Sequence, residues 1–540
     1  MRAPEFSLRL RTASSPSPSP APLSRTQRAY LVSGIESRPY PSRKVCPGCA
    51  FALSGPQRQQ VFCVASAGEC LLCAAAQGKP EAFTQAFCDF LTENPTVFHA
   101  VEYFEKKLQD AGFTELPAKD QWVGQVKPGG KYYVTRNGSS LIAFKVGRSY
   151  EPGAGVAMVA GHIDAVTARL KPVSKKPNKA GYVQLGVAPY AGGLNQTWWD
   201  RDLSIGGRVV VRDPATGKTS VKLVKLDWPI ARVPTLAPHF GVGIMGSNNK
   251  ETEAVPIIGL EDNIPTDPLG PPGSFINTQP PRLARLIAKE LGVSDYASIL
   301  NWDLELFDSQ PAQTGGLDRE FIFGPRIDDK LCSWPALMSL ISADEDESDS
   351  YIQLVALFDN EEIGSLLRQG ARGNFLPLSV ERAVEALCAD ARSPFGPGVM
   401  GQTYSRSFLT SADVTHAGNP NFLGNYLEEH VPRLNVGVAL CADPNGHMTT
   451  DAVSMAIMRR VAERSGCETQ VFQIRNDSRS GGTVGPMLSS AMGVKAADLG
   501  LPQLSMHSVR ATTGSLDPGL GLRFFRAFLE GWEDVDGEWQ

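Results

Sequence analysis

The sequence lacks any long hydrophobic run: apolar stretches such as GVAMVA and CLLCAAA are far shorter than the roughly 20 residues that cross a bilayer. It also lacks a strongly basic stripe, and its net charge is -5 at pH 7, so we expect neither a membrane span nor a nucleic-acid-binding face. Hydrophobic residues make up 42% and charged residues 20% of the chain, a composition that excludes wholesale disorder. Its 540 residues exceed one compact core and predict at least two domains.

Histidine is scarce, with seven in the chain, and the ten cysteines are clustered between positions 46 and 88 or scattered beyond 330. A chain this rich in apolar residues needs no disulfide framework, so the scattered cysteines are interpreted as reduced thiols. Residues 1–78 are rich in Pro, Ser and Arg and nearly free of acids, which indicates a disordered leader or propeptide. Its CPGC and CLLC pairs have the spacing of a zinc site, although the segment between them lacks a zinc-ribbon pattern. That site would use Cys46, Cys49, Cys70 and Cys73.

In the rest of the chain, the pattern of predicted secondary structure changes twice. Segments 79–166 and 322–540 alternate helical and strand patterns, whereas 167–321 has shorter, more polar strands and many turn residues. We therefore predict an α/β domain with a central mixed sheet flanked by helices, interrupted by a β-rich domain. Two amphipathic helices should flank a break at Asn94 and Pro95, and a hairpin should turn at Asn137 and Gly138.

Six side chains of metal-ligand type end or follow apolar runs. Open α/β sheets place their chemistry where central strands end, so these residues are candidates for one site. Each alone has an ordinary explanation, such as a structural histidine or a helix cap. Together they suit a pair of zinc-like ions, provided that one carboxylate bridges both and the pair activates a water for hydrolysis. The six are His162, Asp328, Glu361, Glu362, Asp413 and His507.

The two adjacent glutamates lie in LFDNEEIGS, directly after the buried-strand pattern YIQLVA. Neighbouring side chains on an extended loop diverge, so the two can have different roles. We predict that Glu362 binds metal, while Glu361 stays free as the general base that moves a proton from water to the departing amine. Asp164, two residues after His162, is expected to orient that imidazole.

Long segments of the chain, from near Lys79 to the C-terminus, resemble the M18 family of zinc aminopeptidases. The resemblance implies release of the N-terminal residue of peptides by a proteolytic domain that a dimerisation domain interrupts. It also implies dimers that assemble into a homo-dodecamer. The segments that carry it are GHIDAVTARLKPVS, TWWDRDLSIGGRV, ARVPTLAPHF, GPRIDDKLCS, LFDNEEIGS, SADVTHAGNPNF, DPNGHMTTDAVS, NDSRSGGTVGP and LPQLSMHSVRATTGS.

The same resemblance implies a role for each site residue. His239 would complete a neighbouring subunit's active site, and His416 would contact substrate. The implied cofactor is two zinc ions per subunit: one on His162 and Asp413, the other on Glu362 and His507, with Asp328 bridging and Glu361 as base.

Substrate preference is expected to depend on Cys441 and Met448. Aspartyl aminopeptidases of the family carry a lysine and a tyrosine near the substrate side chain, where this chain has these two residues. Neither can pair with a carboxylate, so we predict a preference for neutral or apolar N-terminal residues such as leucine. The alternative is an aspartyl aminopeptidase that uses another cation, with Arg433 or Lys250 as candidates. A non-enzymatic scaffold is disfavoured because the metal ligands and Glu361 are all present.

Two further properties follow from the resemblance. The segments DPNGHM and SRSGGT are closer to a vacuolar branch of the family, which implies a vacuolar location. The alternative is a cytoplasmic or organellar location, because residues 1–78 resemble an Arg/Ser-rich transit peptide more than an acidic amphipathic propeptide. Histidine and carboxylate ligands also accept manganese or cobalt, so the metal in the cell stays open.

Overall fold

The computed structural model describes residues 79–261, 267–344 and 346–539. The cysteine pairs considered as a zinc site lie outside these ranges. Among the helices described, none combines the length and apolar character that crossing a membrane requires.

The helices and strands of these residues are numbered in chain order. The α-helices are α1 (Thr84–Glu93), α2 (Val97–Asp110), α3 (Pro281–Glu290), α4 (Ile327–Ser342), α5 (Phe375–Asp390), α6 (Pro397–Ser405), α7 (Ala452–Ser465), α8 (Gly485–Met492) and α9 (Asp517–Asp536). Short 3-10 helices span Pro80–Phe83, Gln196–Trp198, Pro238–Phe240, Phe275–Thr278, Tyr296–Ser298, Glu361–Ile363 and Leu423–Asn425. The strands are β1 (Thr114–Glu115), β2 (Lys131–Arg136), β3 (Ser140–Val146), β4 (Val156–His162), β5 (Thr167–Lys175), β6 (Tyr182–Tyr190), β7 (Leu203–Arg212), β8 (Thr219–Lys225), β9 (Ile257–Leu260), β10 (Ile299–Asp308), β11 (Gln313–Gly315), β12 (Phe321–Gly324), β13 (Ile352–Phe358), β14 (Phe408–Ala412), β15 (Thr415–His416), β16 (Ala439–Cys441), β17 (Gln470–Phe472), β18 (Lys495–Gly500), β19 (Pro502–Gln503) and β20 (Ala511–Gly514).

The first elements follow the predicted pattern. Helices α1 and α2 flank Asn94 and Pro95, and the Thr96 side chain caps α2 by accepting a hydrogen bond from the His99 amide. Strands β2 and β3 form the predicted hairpin, and Asn137 and Gly138 at its turn both have positive φ.

The larger sheet has nine strands in the order β1-β2-β3-β13-β4-β14-β18-β16-β17. Its central strands β13, β4, β14 and β18 run parallel, while β3 and β16 pair antiparallel on either side, so the sheet is mixed. Side chains of β4 alternate between two apolar cores. Ala157 and Val159 pack with α4 and α9, whereas Met158 and Ala160 pack with α5 and α8. Helices on both faces therefore bury β4 and β13 completely.

A second, antiparallel sheet interrupts this domain in the chain. Its six strands are in the order β8-β7-β10-β5-β6-β9, and they all lie between β4 and α4. Together with α3 they enclose a separate apolar core around Trp302 and Leu283. The predicted α/β class with a β-rich insertion is confirmed. After the insertion, β11 and β12 join β20 from the C-terminal part of the chain in a three-stranded sheet.

The parallel centre of the larger sheet positions the candidate site. The carboxyl ends of parallel strands meet at the same sheet edge, where loops can converge on a crevice. Strand β4 ends at His162, which is in register with Phe358 at the end of β13. Strand β14 ends at Ala412, in register with Leu499 near the end of β18.

Candidate metal centre and substrate cavity

The structure brings the six predicted ligand-type side chains together at this edge. His162 ends β4, Glu361 and Glu362 follow β13, and Asp413 follows β14. Asp328 lies at the start of α4, and His507 lies in the loop between β19 and β20.

Two groups of atoms form around the two imidazoles. His162 Nε2 lies 3.3 Å from Asp328 Oδ1 and 3.7 Å from Asp413 Oδ1. His507 Nε2 lies 3.5 Å from Asp328 Oδ2 and 3.6 Å from Glu362 Oε2. The two carboxylate oxygens of Asp328 thus face different histidines, which is the geometry a bridging ligand needs.

The electrostatics of the cluster favour bound cations. Burial raises the pKa of Glu361 to about 8, and the charge on Asp413 adds to this while His162 opposes it. Burial and the charge on Asp328 raise the pKa of Glu362 well above its usual value. Burial alone would lower the pKa of His162, but the surrounding carboxylates raise it. A divalent cation would relieve this crowding of negative charge.

The donor set also fits a metal chemically. Ligand atoms of His162, Asp328 and Glu362 lie within 4.8 Å of one another, and so do those of His162, Asp329 and Asp413. Glu362 Oε1 is buried without a hydrogen-bond partner among the described residues, which is costly unless a cation occupies that side. Imidazole and carboxylate are the ligands that zinc takes in hydrolytic sites.

Asp164 holds the His162 ring. Its Oδ1 lies 3.2 Å from His162 Nδ1, and its Oδ2 accepts a hydrogen bond of 2.7 Å from the Tyr190 hydroxyl. The backbone amides of Glu361 and Glu362 donate to the same carboxylate at 3.1 and 3.2 Å. Burial would raise the pKa of Asp164, but these donors and His162 hold it below its ordinary value. Asp164 thereby fixes both the imidazole and the turn that carries the glutamates.

Asp164→Asn is therefore expected to weaken metal binding by about 10- to 100-fold, since the amide cannot satisfy the same donors. Chelator competition on the purified protein measures this affinity. Tyr190→Phe removes only the hydroxyl at 2.7 Å and should have a smaller effect in the same direction. Unchanged metal affinity in Asp164→Asn would show that the imidazole needs no such support.

The backbone of the two glutamates differs from the expected extended loop. Residues Glu361–Ile363 form one turn of 3-10 helix, framed by Asn360 at φ 66° and Gly364 at φ 90°. Asparagine and glycine adopt this left-handed conformation readily, so NEEIG closes into a turn. A 3-10 helix rotates about 120° per residue, so adjacent side chains still diverge. Glu361 Oε2 lies 3.8 Å from His162 Nε2, whereas Glu362 faces His507.

Three further residues of the site were not predicted. Asp329 is fully buried, and its Oδ2 accepts a hydrogen bond from the His162 amide at 3.3 Å. Lys330 donates to the Ile163 carbonyl at 3.0 Å, and burial lowers its pKa to about 8. Both are visible in RIDDK as charged residues at the start of an otherwise apolar helix. No sequence pattern marks Tyr190 as a site residue, because it lies in the second sheet and contacts Asp164 only in the folded chain.

A cavity of about 350 Å³ opens beside the cluster. The cluster residues and His416 line this cavity, and burial lowers the pKa of the His416 imidazole. Part of the lining is apolar, where Cys441, Met448, Phe472 and Ile474 pack together. Burial raises the pKa of Cys441 to about 12, so it stays a neutral thiol. The cavity lining, taken over the described residues, contains no lysine or arginine.

The remaining predicted residues lie elsewhere. His239 is exposed on the 3-10 helix Pro238–Phe240 in the second sheet's segment, and it does not line this cavity within the described chain. Lys250 donates to the Gly193 carbonyl at 3.0 Å, and the Arg433 amide donates to Gln470 at 2.8 Å. Neither cation lines the described cavity wall.

Comparison with known proteins places the chain among zinc aminopeptidases. Residues 90–529 match the family model described as aminopeptidase I zinc metalloprotease (M18). Vacuolar aminopeptidase 1 of Saccharomyces cerevisiae is 42% identical over 468 residues, covering 85% of this chain and 90% of that protein. An aspartyl aminopeptidase of Aspergillus oryzae is 39% identical, covering 83% of this chain and 96% of that protein. Aspartyl aminopeptidase 4 of Saccharomyces cerevisiae is 37% identical, covering 84% of this chain and 96% of that protein.

Solved structures show the same likeness. The mApe1 structure of Chaetomium thermophilum has 64% identity and a TM-score of 0.81, covering 86% of this chain and 100% of that one. The mApe1 dodecamer of Saccharomyces cerevisiae has 39% identity and a TM-score of 0.75, covering 85% of this chain and 98% of that one.

Proposed function

This chain belongs to the M18 family of zinc metalloproteases, and we propose that it is the member type that removes neutral or apolar N-terminal residues, such as leucine, from peptides. Its activity class is that of a metalloaminopeptidase, a hydrolase of peptide bonds. The observation that carries the proposal is the pair of histidines faced by the two oxygens of Asp328, beside a cavity whose lining includes an apolar group of side chains.

In this proposal the centre holds two zinc ions per subunit. Asp328, His162 and Asp413 would hold one of them, and Asp328, Glu362 and His507 would hold the other. Bound there, the ions supply Lewis-acid polarisation of the scissile carbonyl and a water of lowered pKa. The chain's own contribution is to fix the ligands, through Asp164 for His162 and through the 3-10 turn for Glu362.

Glu361 acts as the general base. It lies on the same side as His162 but is directed apart from its neighbour Glu362, so its carboxylate is free to take a proton from water. The proton then passes to the departing amine, which leaves as a neutral group. The surrounding carboxylates also favour a positively charged free α-amine on the substrate.

The apolar part of the cavity lining sets the preference at the N-terminal residue. Cys441 and Met448 offer surface to an apolar side chain and no cation to a carboxylate, and His416, which also lines the cavity, would contact the bound peptide. The second candidate function is release of N-terminal Asp or Glu, which the aspartyl aminopeptidase relatives support. It would need a cation from outside the described cavity wall, such as Lys250 or Arg433 in another arrangement.

Assembly and location are proposed from the relatives. The Saccharomyces cerevisiae mApe1 dodecamer supports a homo-dodecamer built from dimers, in which the exposed His239 completes a neighbour's site. The likeness to vacuolar aminopeptidase 1 supports a vacuolar location, with a cytoplasmic or organellar location as the alternative.

A substrate panel tests the specificity. We expect leucyl substrate to be cleaved with a kcat/KM about 10- to 100-fold above that of aspartyl substrate, because a buried carboxylate would lack a charge-assisted hydrogen bond. Chelation should abolish both activities, and added zinc, cobalt or manganese should restore them. Faster cleavage of aspartyl substrate would reject the pocket argument. Full activity after complete metal removal would reject the metal centre.

A further inference from the structure

A buried carboxylate, Asp498, is among the residues that line the cavity, and it lies beside Cys441 of the apolar part of the lining. Asp498 is in β18, in register with Ser411 on β14 and Cys441 on β16, and it is 1% exposed. A carboxylate in such surroundings is stable only when hydrogen-bond donors satisfy it. Its donors come from two loops that both reach the cavity.

The first loop, residues 442–451, joins β16 to α7. Thr449 donates to Asp498 Oδ2 twice, from its amide at 2.5 Å and from its hydroxyl at 2.7 Å. The next residue, Thr450, accepts from the Asp498 amide at 2.8 Å through its hydroxyl oxygen. Met448, which lines the cavity, directly precedes these anchors. Its position therefore depends on Asp498.

The second loop, residues 473–484, joins β17 to α8 and contains the glycines of SRSGGT. The Thr483 hydroxyl donates to Asp498 Oδ1 at 2.5 Å, and Gly481 and Gly482 just before it line the cavity. A Cβ on Gly485 would lie 2.7 Å from Asp498 Oδ1, so glycine is needed for α8 to approach this closely. The same carboxylate thus ties down the second loop.

We propose that Asp498 is a positioning residue that clamps these two loops against the sheet, and that it thereby sets how well the enzyme distinguishes large from small neutral N-terminal residues. This inference rests on the proposed aminopeptidase function. Asp498 does not bind substrate itself, because donors from the two loops occupy both of its oxygens and its side chain is almost wholly buried. Its effect passes through Met448 and the glycine loop.

The test compares Asp498→Ala, Asp498→Asn and Thr483→Val on leucyl and alanyl substrates. Asp498→Ala should lower kcat/KM for leucyl substrate about 10-fold or more, mainly by raising KM. The kcat/KM for alanyl substrate should fall less, because the apolar contacts that are lost are those to the larger side chain. Thr483→Val keeps the side-chain volume and removes one anchor, so a smaller shift in the same direction is expected. Asp498→Asn keeps one acceptor oxygen and should be intermediate. Metal content should equal that of the unmodified chain in all three.

Asp517 provides a matched control. It is 0% exposed and accepts hydrogen bonds from the amides of Gly514 and Asn435, each at 2.9 Å, but it does not line the described cavity. Asp517→Ala should lower thermal stability without changing the leucyl-to-alanyl ratio of kcat/KM.

The outcomes separate the inference from the function on which it rests. If the Asp498 and Thr483 variants leave the leucyl-to-alanyl ratio unchanged, or if Asp517→Ala changes it equally, the clamp is rejected while the aminopeptidase stands. If the unmodified, metal-loaded chain releases no N-terminal residue from any peptide, the proposed function fails. Should Asp498→Ala not fold, the ratio measured in Thr483→Val decides the matter.

Discussion

Replacing Glu361 with glutamine is expected to lower kcat by about 10²- to 10⁴-fold while leaving the zinc content unchanged. Glutamine has the same size but cannot accept a proton from water. Asp328 contacts both histidines, Asp413 contacts His162, and Glu362 contacts His507. Glu361 lies 3.8 Å from His162 and belongs to neither group of close ligand atoms among the described residues, so the centre does not depend on it for a ligand. A loss in kcat with metal retained is the signature of a base rather than a ligand.

Turnover of a leucyl substrate and metal analysis on the same preparation measure both quantities. Glu347→Gln is the matched control, because that glutamate has a side chain that is 85% exposed and does not line the cavity. Glu362→Gln should give the opposite combination, with metal lost along with activity. Activity within a few-fold of the unmodified enzyme in Glu361→Gln would remove this residue as the base.

The strands at the centre of the site were predictable because both faces of the larger sheet are covered. A fully buried parallel strand is an unbroken apolar run, as β4 and β13 are, and the polar residue that ends the run marks the sheet edge. His162 and the glutamate pair could be found in this way. Strands β16 and β17 have three residues each and are held by pairing with distant strands, so no local pattern reveals them.

The supporting residues were harder to predict for a different reason. Tyr190 belongs to the second sheet and meets Asp164 only after the insertion has folded against the larger sheet. Asp498 looks like an ordinary strand residue until its partners Thr449 and Thr483 converge on it. The turn at Glu361 was expected to be extended, because the left-handed conformations of Asn360 and Gly364 that close it are not specified by residue type alone. Contacts between distant segments determine all three.

Asp328→Asn is expected to have the other large effect, namely loss of both zinc ions and a fall in activity of about 10³-fold or more. Among the described residues, Asp328 is the carboxylate that ion-pairs with both histidines, at 3.3 Å from His162 and 3.5 Å from His507. Asparagine keeps one oxygen and replaces the other with an amide nitrogen that does not bind metal. The loss of one ligand atom therefore affects both positions at once.

Asp329→Asn separates a bridging role from simple removal of negative charge. Asp329 is adjacent in sequence and also contacts His162, but its Oδ2 accepts from the His162 amide and it does not ion-pair with His507 among the described contacts. Its replacement should weaken metal binding at most at the position beside His162, and the position beside His507 should keep its ion. Metal titration of the two variants distinguishes them: about two ions lost in Asp328→Asn and at most one in Asp329→Asn. Two tightly bound ions in Asp328→Asn would show that the site is assembled around a different carboxylate, and Glu362 would then be the next candidate because it shares a ligand group with His162 and lies 3.6 Å from His507.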